Sequence, residues 1–291
     1  MTTVGFIGLG IMGAPMAEHL IAAGHQVAGF SLGDEWAARL SAAGGRVAVD
    51  IADAVADADV VITMLPNHPE VEAVVFGEKG VLASARAGAL LIDMSTIRPE
   101  SSTAIATAAA ERGIRVLDAP VSGGEAGAKQ ATLSIMVGGT AEDFAAAQPI
   151  LDVVGKTIVH VGPHGAGQTV KAANQLVVAG TFALVSEAIM LLEASGVDAK
   201  AGLDVLAGGL AASRILDLKR DSMLARQFTP GFRIDLHHKD MGIATAAARS
   251  ADVALPVTGL IAQLMAAARS MGFGSLDHSA LLKVIEALSG R

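Results

Sequence analysis

Short apolar runs alternate with alanine-rich helical stretches through the first half of the chain. Residues 4–7, 26–30, 60–64, 90–93 and 115–117 read as strands. Between them, residues 14–23, 34–43, 51–56 and 100–112 carry the apolar spacing of helices. Strands alternating with helices imply a parallel sheet covered on both faces. Residues 134–137 and 157–160 look like two further strands around a helix at 141–153. After residue 160 the strand signals stop. Residues 165–194 read as one long helix, and the remainder as helices with turns at Gly208-Gly209, Thr229-Pro230-Gly231 and Gly272-Phe273-Gly274. The expected architecture is an α/β domain over residues 1–162, then a long connecting helix that opens an all-α domain over 163–291.

Composition narrows the function classes. With 291 residues, 52% of them hydrophobic, the chain can bury a large core. A net charge of −8 argues against nucleic-acid binding, which normally needs a basic face. There is no cysteine, so disulfides, thiolate metal sites and cysteine nucleophiles are excluded. The N-terminus, Met1-Thr2-Thr3-Val4, lacks the basic region of a signal peptide, and a cytoplasmic setting is expected. The one membrane candidate, residues 176–192, falls short of the roughly 20 residues a span requires. It carries Ser186 and Glu187 and is read as a buried helix, so no membrane partner is expected.

Gly8-Leu9-Gly10-Ile11-Met12-Gly13 follows the first strand and opens the first helix. Gly8 suits the tight turn, Gly10 the approach of backbone to a pyrophosphate, and Gly13 close helix–strand packing. Helix N–H groups then face the phosphates. In that strand–turn–helix setting the motif predicts a Rossmann-type dinucleotide site. After the second strand comes Ser31, neither the carboxylate that binds an NAD ribose nor an arginine for the NADP phosphate. Asp34 and Glu35 come slightly late, so NAD versus NADP stays open. Met64-Leu65-Pro66-Asn67 and Asp93-Met94-Ser95-Thr96 lie where two strands end, the edge at which open α/β sheets bind ligands. Leu65, Pro66 and Thr96 are therefore candidates to line the nicotinamide half.

Three polar groups suggest chemistry beyond the cofactor. In Asp118-Ala119-Pro120-Val121-Ser122-Gly123-Gly124, successive N–H groups at Ser122, Gly123 and Gly124 suit a carboxylate, although a plain β-turn reads the same way. Lys171, Asn174 and Gln175 share a helix face by their spacing. An ammonium beside an amide suits carbonyl reduction, in which lysine protonates the developing alkoxide; the alternative is a lysine reaching solvent from a helix end. The third group is Phe232 through Asp240, with His237, His238 and Lys239. No partner set at ligand spacing supports a metal there. Lys239 suits the cofactor or substrate, or an ion pair with a neighbouring aspartate.

Four segments together resemble the β-hydroxyacid dehydrogenase family over essentially the whole chain. They are residues 5–17, residues 118–124, Gly165-Ala166-Gly167 through Lys171 and Asn174, and Lys239-Asp240. The resemblance implies that Lys171 is the catalytic acid/base and that Ser122, Gly123, Gly124 and Asn174 hold a small carboxylate-bearing substrate. It implies NAD or NADP along Gly8–Gly13, Ser31, Leu65-Pro66, Thr96 and Lys239, and a homodimer or homotetramer. Two further segments, 230–237 and 274–280, are most similar to members that reduce 2-hydroxy-3-oxopropanoate to glycerate. Members acting on 3-hydroxyisobutyrate are the alternative. Imine reductases, usually without the lysine, and a cofactor-binding protein without turnover fit less well. Two positions depart from the family: Ala131 stands where another glycine is usual, and Ser31 where NAD-using members carry an acid.

Overall fold

The structure, a computed structural model, describes residues 1–291 apart from the side chain at position 34. Two compact units are present, Met1–Lys171 and Ala172–Arg291.

The first unit alternates strands and helices in chain order: β1 (Thr3–Ile7), α1 (Gly13–Ala22), β2 (Gln26–Phe30), α2 (Asp34–Ala42), β3 (Arg46–Val47), α3 (Ile51–Val55) and β4 (Val60–Thr63). There follow α4 (His68–Phe76), α5 (Val81–Ser84), β5 (Leu90–Asp93), α6 (Pro99–Ala110) and β6 (Arg115–Asp118). The unit is completed by β7 (Val121–Ser122), α7 (Gly124–Lys129), β8 (Leu133–Gly138), α8 (Ala141–Val154), β9 (Gly155–Gly162) and the start of α9 (Ala166–Ala194).

The nine-stranded sheet runs β3-β2-β1-β4-β5-β6-β8-β7, with β9 beside β8. From β3 to β6 all pairs are parallel, the doubly wound order whose ligand crevice opens at the strands' carboxyl ends. The core follows the two-residue period. Val60, Ile62, Leu90 and Ile92 point into one buried layer, Val61 and Leu91 into the other. With helices over both faces, these strands read as continuous apolar runs.

The sheet is not parallel throughout, as the sequence pattern implied. β8 runs antiparallel to β6 and to β7, with α7 in the connection from β7 to β8. The positions α4, α5, α7, β3 and β7 carry no periodic signal long enough to read. The β7–β8 pair seats Ser122 opposite Ser134. Ala131, just before β8, has φ +53°, the left-handed region that favours glycine. An alanine thus adopts the shape of the glycine usual there, and β8 pairs with β7 in register.

The second unit holds the rest of α9, then α10 (Ala199–Ala207), α11 (Arg214–Leu224), α12 (Ile234–Ser250), α13 (Pro256–Ser270) and α14 (Leu281–Leu288). Its core joins Phe182, Ile189, Leu203, Leu216, Met223, Met241, Met265, Leu281 and Leu282. Helix α9 is long and apolar enough to cross a membrane. Within its unit it buries Ala179, Phe182, Ala183, Ser186, Ile189 and Met190, a three-and-four spacing that turns one side inward.

The division between units falls inside α9 rather than before it. The first turns of the helix are hydrogen-bonded to the sheet: Gly165 and Gln168 N–H donate to Asp118, and the Gln168 side chain bonds Ile97 and Ser95.

Candidate active site

The strand register brings four segment ends to one edge of the sheet. Ile7 pairs with Phe30 and with Thr63, Thr63 with Asp93, and Asp93 with Asp118. The glycine turn, Ser31, Leu65-Pro66 and Thr96 therefore all leave the sheet at its carboxyl edge. Leu65 N–H donates to the Ser95 hydroxyl at 2.9 Å, which ties the loops after β4 and β5 together.

The three glycines of the first turn meet different surroundings. Gly8 has φ +98°, and a Cβ there would lie 2.4 Å from the Met64 carbonyl oxygen. At Gly13 a Cβ would lie 1.9 Å from the Gly8 carbonyl oxygen. At Gly10 it would meet no protein atom within 4 Å. Gly8 and Gly13 thus close the turn against protein, while Gly10 faces open space. Helix α1 begins at Gly13 without a side-chain cap at Met12, so no side chain stands over the positive end of the helix, where a ligand's oxygens are favoured. Leu9 is buried and Ile11 half exposed. This turn fits a pyrophosphate. Ser31 directly follows β2 and is partly buried. The Asp34 side chain, also singled out from the sequence, lies outside the described residues.

Beneath the loops lies a buried acidic pair, unremarked in the sequence. Asp93 accepts from the Thr63 hydroxyl at 2.8 Å and from Ser95 N–H at 3.1 Å. Burial, aided by Asp118 nearby, pushes its carboxyl up to about 6, against the pull of those hydrogen bonds. Asp118 is also raised by burial, while N–H donors from Gly165 and Gln168 oppose the shift.

Beyond Asp118 the chain turns through Val121 and Ser122 into Gly123 and Gly124, with φ +135° and +59°. Lys171 comes to this turn. Its side chain is buried, with 6% exposure, and Nζ donates to the Val121 carbonyl oxygen at 2.8 Å. The snorkelling alternative is thereby set aside, because the ammonium ends inside the protein.

The second unit assembles the remaining candidates. Asn174, one turn along α9, donates from Nδ2 to Gln175 Oε1 at 2.7 Å. Gln175 Nε2 donates to Asp240 Oδ2 at 2.5 Å, and Lys239 Nζ lies 3.0 Å from Asp240 Oδ1. An amide–amide–carboxylate–ammonium chain results, with Asp240 almost fully buried.

Segments 230–237 and 274–280, forty residues apart, meet as one structure. Ile234 and Asp235 N–H donate to Leu276 and Gly274 carbonyls, and His278 N–H to Phe232. Asp277 accepts from Gly231 N–H and pairs with Lys219 at 3.0 Å. Burial pushes the Asp277 carboxyl up, but His278, Ser279, Gly231 and Lys219 outweigh it and hold it down at about 2. His237, the first of the two adjacent histidines, places Nδ1 3.0 Å from His278 Nδ1 and Nε2 3.1 Å from the Gln175 carbonyl oxygen.

Residues 3–162 match the family model of the NAD binding domain of 6-phosphogluconate dehydrogenase. Residues 165–285 match that of the NAD-binding region of NADP-dependent 3-hydroxyisobutyrate dehydrogenase. The 2-hydroxy-3-oxopropionate reductase of Escherichia coli (strain K12) is 42% identical over 98% of both chains. The 2-(hydroxymethyl)glutarate dehydrogenase of Eubacterium barkeri is 39% identical over 99% of this chain and 96% of that one. Among solved structures, Mycobacterium tuberculosis 3-hydroxyisobutyrate dehydrogenase with L-serine superposes with a TM-score of 0.89 at 36% identity, covering 98% of this chain and 99% of the other. Fold, glycine turn and these likenesses define an NAD(P)-dependent oxidoreductase acting on the CH–OH group of a small β-hydroxy acid. The chain belongs to the β-hydroxyacid dehydrogenase family.

Proposed function

We propose that the protein reduces 2-hydroxy-3-oxopropanoate to glycerate with Lys171 as proton donor. The observation that carries the chemistry is the buried Lys171 ammonium, held 2.8 Å from the Val121 carbonyl beside the Ser122–Gly124 turn. Burying an ammonium is costly unless a partner or a reaction requires it there. When bound along Gly8–Gly13, Ser31, Leu65-Pro66 and Thr96, NAD(P)H supplies a hydride to the aldehyde carbon. Lys171 delivers a proton to the aldehyde oxygen as negative charge develops on it, which completes the alcohol. Ser122, Gly123 and Gly124 receive the substrate carboxylate, with the Ser122 hydroxyl as one donor, and Asn174 grips a substrate oxygen. Lys239 serves the cofactor.

The choice of substrate rests on 42% identity to the E. coli reductase. A second reading, oxidation of 3-hydroxyisobutyrate, is favoured by the 0.89 TM-score to the M. tuberculosis enzyme. A spectrophotometric panel of small hydroxy acids with NAD and NADP tests both. Glycerate is expected to exceed 3-hydroxyisobutyrate in kcat/KM, and the reverse order would move the assignment.

The chain is further proposed to act as a homodimer or homotetramer in the cytoplasm. Val177, Leu184 and Leu191 recur every seven residues on α9 and are 62–69% exposed, an apolar seam suited to a second copy.

A further inference from the structure

Asp118 ends β6, yet its carboxylate is spent on a helix that begins dozens of residues later. Oδ1 accepts from Gly165 N–H at 2.8 Å and Oδ2 from Gln168 N–H at 3.0 Å. A helix start leaves its first N–H groups without intrahelical acceptors, and the residue just before the helix usually supplies one. Here a distant strand supplies two at once. Gln168, wholly buried, adds a second pair: Oε1 accepts from Ile97 N–H at 3.0 Å and Nε2 donates to the Ser95 carbonyl at 2.8 Å.

Glycines clear the space for this grip. A Cβ at Gly138 would lie 2.5 Å and 2.8 Å from the two Asp118 carboxylate oxygens. A Cβ at Gly167 would lie 2.8 Å from Oδ2 and 2.4 Å from the Met136 carbonyl oxygen. The helix end is thus seated against β6 and β8 at a spacing no side chain permits. Lys171 lies one turn beyond Gln168 and donates to Val121, three residues beyond Asp118. Helix start and lysine acceptor are both fixed to the same short stretch of backbone.

We infer that Asp118 is a positioning residue, which caps α9 from outside the helix and, with Gln168, sets the depth and rotation of the Lys171 ammonium at the Val121–Ser122 turn. Two acceptor oxygens on two donors resist rotation of the helix about its axis, which a single-point cap does not. An asparagine would keep one acceptor and set its own N–H against a backbone N–H. The inference rests on Lys171 being the proton donor.

The test compares Asp118→Asn, Gln168→Met and Lys171→Met in the full chain. It reads kcat, cofactor Kd by calorimetry, and Tm. Small misplacements of a reacting group lower rates by up to about 100-fold, so Asp118→Asn is expected to lower kcat about 10- to 100-fold with cofactor Kd within about twofold. Gln168→Met should lower it about 3- to 10-fold with the same split, since the carboxylate cap remains. An Asp118→Asn enzyme with wild-type kcat would overturn the inference. So would losses of kcat and cofactor binding in equal proportion, which mark general unfolding. If Asp118→Asn does not fold, Gln168→Met decides alone: lowered kcat with unchanged Kd supports the inference, and wild-type kcat overturns it. Turnover by Lys171→Met would remove the premise instead, whereas an inactive Lys171→Met beside an unaffected Asp118→Asn defeats the positioning role only.

Discussion

Lys171 Nζ and the Val121 carbonyl oxygen are 2.8 Å apart, which places a buried ammonium directly beside the Ser122–Gly124 turn. The acceptor is a neutral backbone dipole, so the lysine is held without being neutralised by a carboxylate at that bond. Lys171→Met keeps the length and removes the charge. We expect kcat to fall by about 10²–10⁴-fold while cofactor binding persists. Single-turnover kinetics and cofactor titration check this, and more than a tenth of wild-type kcat would end the acid/base assignment.

Gly10 and Gly13 predict opposite phenotypes. A methyl at Gly13 would sit 1.9 Å from the Gly8 carbonyl oxygen and 2.9 Å from the Phe6 ring. Gly13→Ala should therefore lose about 3 kcal/mol of stability through overpacking. Gly10→Ala meets no protein atom, so its Tm should match wild type while the cofactor KM rises about tenfold, the equivalent of about 1.4 kcal/mol. Thermal melts and cofactor titrations separate the two; equal melting temperatures would contradict the packing argument.

Asp93 makes stability depend on pH. Its carboxyl titrates at about 6 when folded, above the roughly 3.9 of an unfolded aspartate. Between those values the folded chain keeps a proton that the unfolded chain has released. Stability therefore falls as pH rises from about 4 to about 6, by of the order of 3 kcal/mol, and the penalty persists above. Asp93→Asn keeps an oxygen for Thr63 and Ser95 and cannot ionise. Denaturant melts at pH 4.5 and 7 should show this contribution missing in the variant; an unchanged difference from wild type would contradict it.

Ala131 holds a left-handed backbone with φ +53°. Glycine adopts that conformation without a Cβ penalty of roughly 1 kcal/mol, offset in part by its greater freedom when unfolded. Ala131→Gly should gain about 0.5 kcal/mol, raising Tm by a degree or two. A lower Tm would show that the alanine methyl has a packing role.

Leu184 lies at the centre of the exposed seam on α9. Leu184→Glu is expected to release single chains, seen as a halved or quartered mass in light scattering. A wild-type protein with single-chain mass would remove the seam proposal.

Much of this molecule was legible because its signals are local. The continuous apolar runs of β1, β2, β4 and β5 and the glycine turn read directly, as did the long apolar helix. The antiparallel β7–β8 pair did not. Val121–Ser122 has no pattern of its own and becomes a strand only by pairing with β8. Helix α4, HPEVEAVVF, is rich in valine and carries a proline, and its helical state follows from its place between β4 and β5. At the site, Lys171, Ser122 and Asn174 lie in motifs quotable from the sequence. The acceptors that organise them do not: Asp118 reaches Gly165 and Gln168 across the sheet, and Asp240 reaches Gln175 from another helix. An acidic residue closing an apolar strand was the available hint, since a carboxylate there needs donors from somewhere.

The cap at Asp118 also bears on where the sheet unit can be cut. The first family match stops at residue 162, before either α9 donor to that carboxylate has been reached. A fragment ending there would carry Asp118 stripped of Gly165 and Gln168, and would lose the glutamine that ties Ser95 to Ile97. The β6 carboxylate is thus satisfied only by the opening turn of α9, so the smallest self-contained sheet unit includes the start of the helix that bears the lysine.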